Sequence, residues 1–178
     1  MFAGLAMCVQ EAPAEENGMT SWRVVFALSV AVGFGMGQQQ AADLSGTWQL
    51  NVQKSNWGKH PKPTSGKVVV EHHEPALKYS GDVAIQNGTE TTPGKSSFSF
   101  DGAIDGKEYP VTGTAGDGKM TIRRVNPTMM ESELKSSDGA VIERARTTVS
   151  ADGKRLVREV KAPGPGGEVS WTEVYDRQ

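Results

Sequence analysis

From residue 43 onward the chain is built of short apolar–polar alternations broken by turn residues. No stretch there has the three-to-four spacing of an amphipathic helix of useful length. Alternation at period two puts successive side chains on opposite faces of a strand. It predicts strands near 45–53, 66–73, 76–85, 96–101, 107–112, 119–125, 128–135, 140–149, 154–161 and 168–176. Some ten short strands in series predict one all-β domain: a single up-and-down antiparallel barrel of about 8–10 strands, or a strongly curved meander.

Ahead of these strands lies one uninterrupted apolar run, VVFALSVAVGFGM at 24–36. It has the length of a signal-peptide core and falls short of the ~20 residues of a membrane-spanning helix. Arg23 precedes it, and Gly35 and Gly37 follow at the spacing a signal peptidase accepts, so cleavage is expected after Gly37 or Ala42. Residues 1–18 carry Glu11, Glu15 and Glu16 with no Lys or Arg, which does not suit a leader. Met19, followed by TSWR, makes the better start. The expected division is a mis-called extension over 1–18, a signal peptide and short linker over 19–42, and the barrel domain over 43–178. A periplasmic or secreted protein follows, with no stable membrane span after cleavage.

The turn chemistry sharpens the C-terminal half. Asp138-Gly139 and Asp152-Gly153 read as two-residue hairpin loops, and Asn126-Pro127 marks a further turn. Those loops place Glu133 opposite Arg144 and Glu131 opposite Arg146, with Arg146 also opposite Glu159. The result is a ladder of opposite charges on the outer face, each pair worth about 0.2–1 kcal/mol. The other face holds Val141, Ala145, Thr147, Val149, Leu156 and Val160, together with Glu143 and Arg158. A dry two-sheet core does not readily hold those charges; a barrel with a partly polar interior does.

Composition narrows the function classes. The chain has 19 Lys+Arg against 21 Asp+Glu, and without residues 1–37 the two signs balance. Nucleic acid is therefore excluded as a main partner, since it requires a basic surface. The one cysteine, Cys8, lies in the doubtful extension; Leu5-Ala6-Met7-Cys8 is a poor lipoprotein box because Met7 is large. The remaining chain offers no disulfide, thiolate or Cys-ligated metal.

Three segments carry a resemblance. Gly46-Thr47-Trp48-Gln49-Leu50 resembles the first strand of the calycins, the lipocalin and fatty-acid-binding-protein group. Ser150-Ala151-Asp152-Gly153-Lys154-Arg155-Leu156 is similar to a late hairpin of that group, and Val174-Tyr175-Asp176-Arg177 to its last strand. Asp43–Asn56 and Asp105–Gly113 also resemble a set of exported bacterial lipocalin-like proteins. The resemblance implies a closed barrel with an interior cavity for apolar or amphipathic ligands. It also implies that Gly46 and Trp48 form a structural plug at the closed end, often beneath an arginine from a late strand; Arg158 and Arg177 are the candidates. Fatty-acid-binding proteins grip a carboxylate with Arg-x-Tyr in the last strand. Here the matching positions read Glu173-Val174-Tyr175, and the Pro/Gly/Lys stretch 53–66 stands where a two-helix lid would be.

The candidate ligand-binding residues are Arg158, Trp171, Tyr175 and Met130. If Val169 lies opposite Val160, Trp171 meets Arg158, and the four line one patch with a positive group and aromatic walls. The plainer reading pairs Arg158 with Glu173 or Glu143 inside an ordinary core. His60, His72 and His73 match no metal-ligand spacing and read as surface histidines. Lys59, Lys62 and Lys67 with Trp57 read as a solvated loop, and Asn87-Gly88-Thr89 as a turn rather than a glycosylation site. No Gly-x-Ser-x-Gly elbow or unexplained carboxylate pair appears, so no catalytic residue, metal or cofactor is assigned. The expectation is an exported, monomeric, non-enzymatic binding protein for a small apolar or amphipathic molecule. The alternative is an envelope scaffold that recognises a partner through loop 54–66.

Overall fold

The structure is a computed structural model that describes residues 40–85, 94–114 and 116–178. The expected leader, the expected extension with Cys8, and Asn87-Gly88-Thr89 lie outside the described residues. Ten strands run in order: β1 Gly46–Leu50, β2 Pro63–His73, β3 Ala76–Ile85, β4 Gly94–Ala103, β5 Asp105–Gly113, β6 Gly118–Asn126, β7 Met129–Ser136, β8 Val141–Val149, β9 Arg155–Gly164 and β10 Gly167–Arg177. Each pairs antiparallel with its neighbour in sequence, and β1 also pairs with β10, closing the sheet into a single barrel. Among the described residues no helix is long and apolar enough to cross a membrane.

The register sorts every strand into an inner and an outer face. Residues directly opposite in an antiparallel pair share a face. Trp48 lies opposite Val68 and Arg177, Tyr175 opposite Leu156, Arg158 opposite Thr147, and Thr147 opposite Met130. Continuing round, Leu134 meets Met120, and Phe100 stands between Val111 and Tyr79. These side chains form the inner face. Trp48, Phe100 and Val160 are its most deeply buried members.

The two C-terminal hairpins keep the predicted register by a different route. Gly139 N–H donates to Ser136 O, and Ser136 N–H donates to Ala140 O. The loop is therefore a turn over Ser136–Gly139 with Gly139 at φ 88°, and the extra residue is returned by a register shift between Leu134 and Lys135. That combination is a turn followed by a glycine bulge. In the second hairpin Ser150 N–H donates to Arg155 O and Gly153 sits at φ 67°. Glu131 and Arg146 are paired at 3.0 Å and Glu133 and Arg144 at 2.9 Å. Glu159 lies opposite Arg146 in register, but the ladder runs the other way, from Arg146 through Glu131 to Arg123.

Several strand boundaries differ from the sequence reading, and those of β1 and β2 reshape one end of the barrel. β1 stops at Leu50 rather than 53, because Asn51 and Ser55 fold a turn in which Ser55 N–H and Oγ both reach Asn51 O. β2 begins at Pro63, so the loop spans 51–62. Within it Asn56 and Thr172 exchange two backbone hydrogen bonds, which returns the chain to the edge of β10. Trp57 then turns inward and is buried, not solvated. In a meander, alternate connections lie at opposite ends. The 51–62 loop therefore caps one end, and the approach to β1 caps the other.

Candidate functional site

The end that holds Trp48 is sealed from the sequence upward. Gly46 adopts φ 122°, a conformation that L side chains rarely adopt, which swings the chain from the Ala42–Ser45 approach into β1. Leu44 is buried beneath the barrel, and its carbonyl accepts the Trp48 indole N–H at 2.8 Å. The Arg177 guanidinium lies over the Trp48 ring, 4.7 Å from its centroid, and also donates to Asp43 O. Of the two arginine candidates for this contact, Arg177 makes it. An arginine over an aromatic face at this range contributes about 0.5–2 kcal/mol.

His72 belongs to this end and is buried, against the expectation that the histidines are on the surface. It falls on the inner face of β2, opposite Leu77. Leu44 N–H donates to His72 Nδ1 at 3.3 Å, so Nε2 carries the proton of the neutral ring. Nε2 lies 3.2 Å from Glu74 Oε1 without hydrogen-bond geometry. His73 is exposed, and His60 stacks on Trp171 with ring centroids 4.0 Å apart. Three histidines with three separate surroundings do not converge on one ion. No group of metal-ligating side chains stands together among the described residues.

The centre of the barrel holds the chemistry. A cavity of about 320 Å³ lies above Trp48, walled by Val68, Val70, Leu77, Phe98, Met120 and Leu156 among others. Arg158, Glu143, Tyr175, Tyr79 and Met130 also reach it. Arg158 is clamped between two carboxylates: one terminal nitrogen donates to Glu173 Oε2 at 2.7 Å, the other to Glu143 Oε1. Glu173 Oε1 accepts the Trp171 indole N–H at 2.8 Å, and Oε2 also accepts the Tyr175 hydroxyl at 3.2 Å.

The register explains why these groups meet. Val169 lies opposite Ala162, not Val160, so Trp171 meets Val160 and it is Glu173 that faces Arg158. The predicted Trp171–Arg158 contact is thus displaced by two residues, and the plainer pairing of Arg158 with both Glu173 and Glu143 is what forms. Met130, Tyr175 and Arg158 line the cavity. Trp171 does not; it borders a polar depression with Asn56, Gly58 and Lys161, and is covered by His60.

Burial pushes the Glu173 carboxyl up, but the Arg158 charge and the Trp171, Arg158 and Tyr175 hydrogen bonds outweigh it, and the group lies below the usual carboxylate range. Burial likewise disfavours the Arg158 cation, yet the two carboxylates hold it well above the ordinary guanidinium value. Desolvation pushes the Tyr79 hydroxyl up to about 12 and raises that of Tyr175 as well, so both stay neutral. The centre is an Arg158 cation held between the carboxylates of Glu173 and Glu143, with neutral phenols beside it.

Sequence reasoning did not identify Tyr79 and Phe98 as part of this wall, or Phe100 as the buried ring packed against it. Tyr79 stacks on Phe100 at 5.1 Å and its hydroxyl donates to Met120 Sδ at 3.1 Å. The signal was present as alternation in β3 and β4, where Leu77 and Tyr79, and Phe98 and Phe100, fall at alternate positions, and the β3–β4 register puts all four on the inner face. The closed ten-stranded antiparallel barrel is compatible with a calycin-like fold, and its cavity with a binding protein. No protein-family model and no curated protein matches the chain.

Proposed function

We propose that this chain is an exported, non-enzymatic carrier that holds one small apolar or amphipathic molecule inside its barrel. The supporting observation is the cavity itself: about 320 Å³, walled chiefly by apolar side chains, with the Arg158 ion cluster on one side and the ion-paired Glu131 also reaching it. Ligand pockets are of this kind, apolar with few placed polar groups, and begin at about 300 Å³. An apolar cavity of ~150 Å³ accepts benzene, so this one suits a guest of roughly two such rings. The apolar run at 24–36, preceded by Arg23, supports export.

Loop 51–62 is less suited to recognise a protein partner. Its aromatic residue, Trp57, is buried, Lys54 is paired with Asp176, and Lys59 and Lys62 are ordinary exposed lysines. The carrier reading is tested on full-length protein purified under native conditions from its own host. Native mass spectrometry should show a mass increment that organic extraction removes. Protein that carries no increment and takes up no neutral apolar dye overturns the proposal.

A further inference from the structure

We infer that the molecule held in the barrel presents a hydrogen-bond-donating head, a protonated amine for preference, and not a carboxylate. This deepens the carrier reading and rests on it. It follows from counting which polar capacity at the cavity is already used.

Arg158 is the only Arg or Lys lining the cavity among the described residues. Both of its terminal nitrogens are engaged by carboxylates, one by Glu173 and the other by Glu143. Glu173 is saturated in turn, with Trp171 on one oxygen and Arg158 and Tyr175 on the other. Glu143 is not: Oε1 binds Arg158, and Oε2 makes no hydrogen bond among the described residues. One cation therefore stands against two anions, and the unspent charged atom of this cluster facing the cavity is a carboxylate oxygen.

The phenols add to the same side. The Tyr79 hydroxyl spends its proton on Met120 Sδ, so its oxygen is left to accept. The Tyr175 hydroxyl spends its own on Glu173. The remaining inner-face arginines are occupied at the Trp48 end. Arg177 covers the Trp48 ring, Arg124 is held by Glu74 and Pro127 O, and neither lines the cavity. An acidic head would sit beside Glu143 at like charge in a half-buried site, where repulsion exceeds that in bulk water. A donor, above all a cationic one, completes Glu143 and balances the triad.

The test uses full-length protein freed of lipid and loaded with Nile red, a neutral dye, at pH 7. Octylamine, octanol and octanoate are titrated as competitors that differ only in the head. The expected result is displacement by octylamine at a concentration about tenfold or more below that of octanoate, with octanol between them. Glu143→Gln should bring octylamine to the level of octanol and leave octanol unmoved. Octanoate displacing as well as octylamine overturns the inference, and so does a ranking that survives Glu143→Gln. If the variant does not fold, the wild-type ranking alone decides. Failure of Nile red to bind, or of all three competitors to displace it, overturns the carrier reading and this inference with it; a reversed ranking overturns only the second.

Discussion

Trp48 and Glu173 show how one inner-face position is used for shape and another for charge. Trp48 is 1 % exposed and tied at both its N–H and its ring face. Its truncation to Ala removes a large buried ring and opens a hole that Leu44 does not fill. The expected loss is about 3–5 kcal/mol by urea denaturation. Arg177→Met, which keeps the stem and removes the cation, should cost only about 0.5–2 kcal/mol. Equal losses would mean that the charge, not the ring, closes the end. Glu173 makes a prediction in pH. Its folded pKa lies below its ordinary value of 4.5. Its contribution is therefore fully present above the unfolded pKa and is lost as pH falls through the folded one. The urea midpoint of the wild type should fall more steeply between about pH 5 and pH 3 than that of Glu173→Gln, whose amide still accepts from Arg158. Parallel curves would assign the acid sensitivity to other lowered carboxyls, such as Asp43 and Asp176.

At the scale of strands and turns, what could be read from the chain depended on how local the determinant is. All ten strands were legible, because period-two alternation and Gly, Asp and Pro punctuation are local signals. The register of β7, β8 and β9 was legible too, since opposite charges and Asp-Gly turns agreed on it. Yet the first hairpin reaches that register through a three-residue loop and a compensating bulge, which no charge pattern distinguishes from a plain two-residue loop. The β9–β10 register was misread by two residues. Its connection, Ala162-Pro163-Gly164-Pro165-Gly166-Gly167, offers several turn positions, and strand β9 runs on through Pro163 to Gly164. Hence the site was placed on the right strands with the wrong neighbour for Arg158. His72 and Trp57 were missed as buried because what covers them comes from elsewhere in the chain: Leu44 for one, β10 for the other. The hairpin account is open to a direct check. At Gly139, φ 88° is left-handed and open space surrounds the Cα, so Gly139→Ala should cost about 1–2 kcal/mol through backbone strain alone. Gly139→Asn should recover part of it, since Asn tolerates that conformation. Thermal melts of the pair decide; an unchanged midpoint for Ala would rule out the glycine bulge.

The whole molecule is a sheet whose first and last strands must find each other. β1 has five residues, and only Trp48, Gln49 and Leu50 have β10 partners, with the Asn56–Thr172 bridge added beyond the turn. Every other neighbouring pair except β4 and β5 shares more register partners than this. Stability is not uniform across a fold, and amides with few supporting contacts open first. Hydrogen exchange should therefore release the amides of Gln49, Asn51, Asn56 and Thr172 before those of β8 and β9; the opposite order would make the seam as firm as the rest. Barrel closure also requires sequence-distant contacts, so it should come late in folding. On its open side β10 has no strand partner for Gly167–Trp171 among the described residues, and loop 51–62 lies over it instead. A closed sheet escapes templated growth only while no edge is showing. Each time the seam parts, β10 becomes a free edge of apolar residues next to a detached strand that fits it. At high concentration that strand can come from a second molecule, so the same closure that seals the barrel also supplies the hinge for strand exchange.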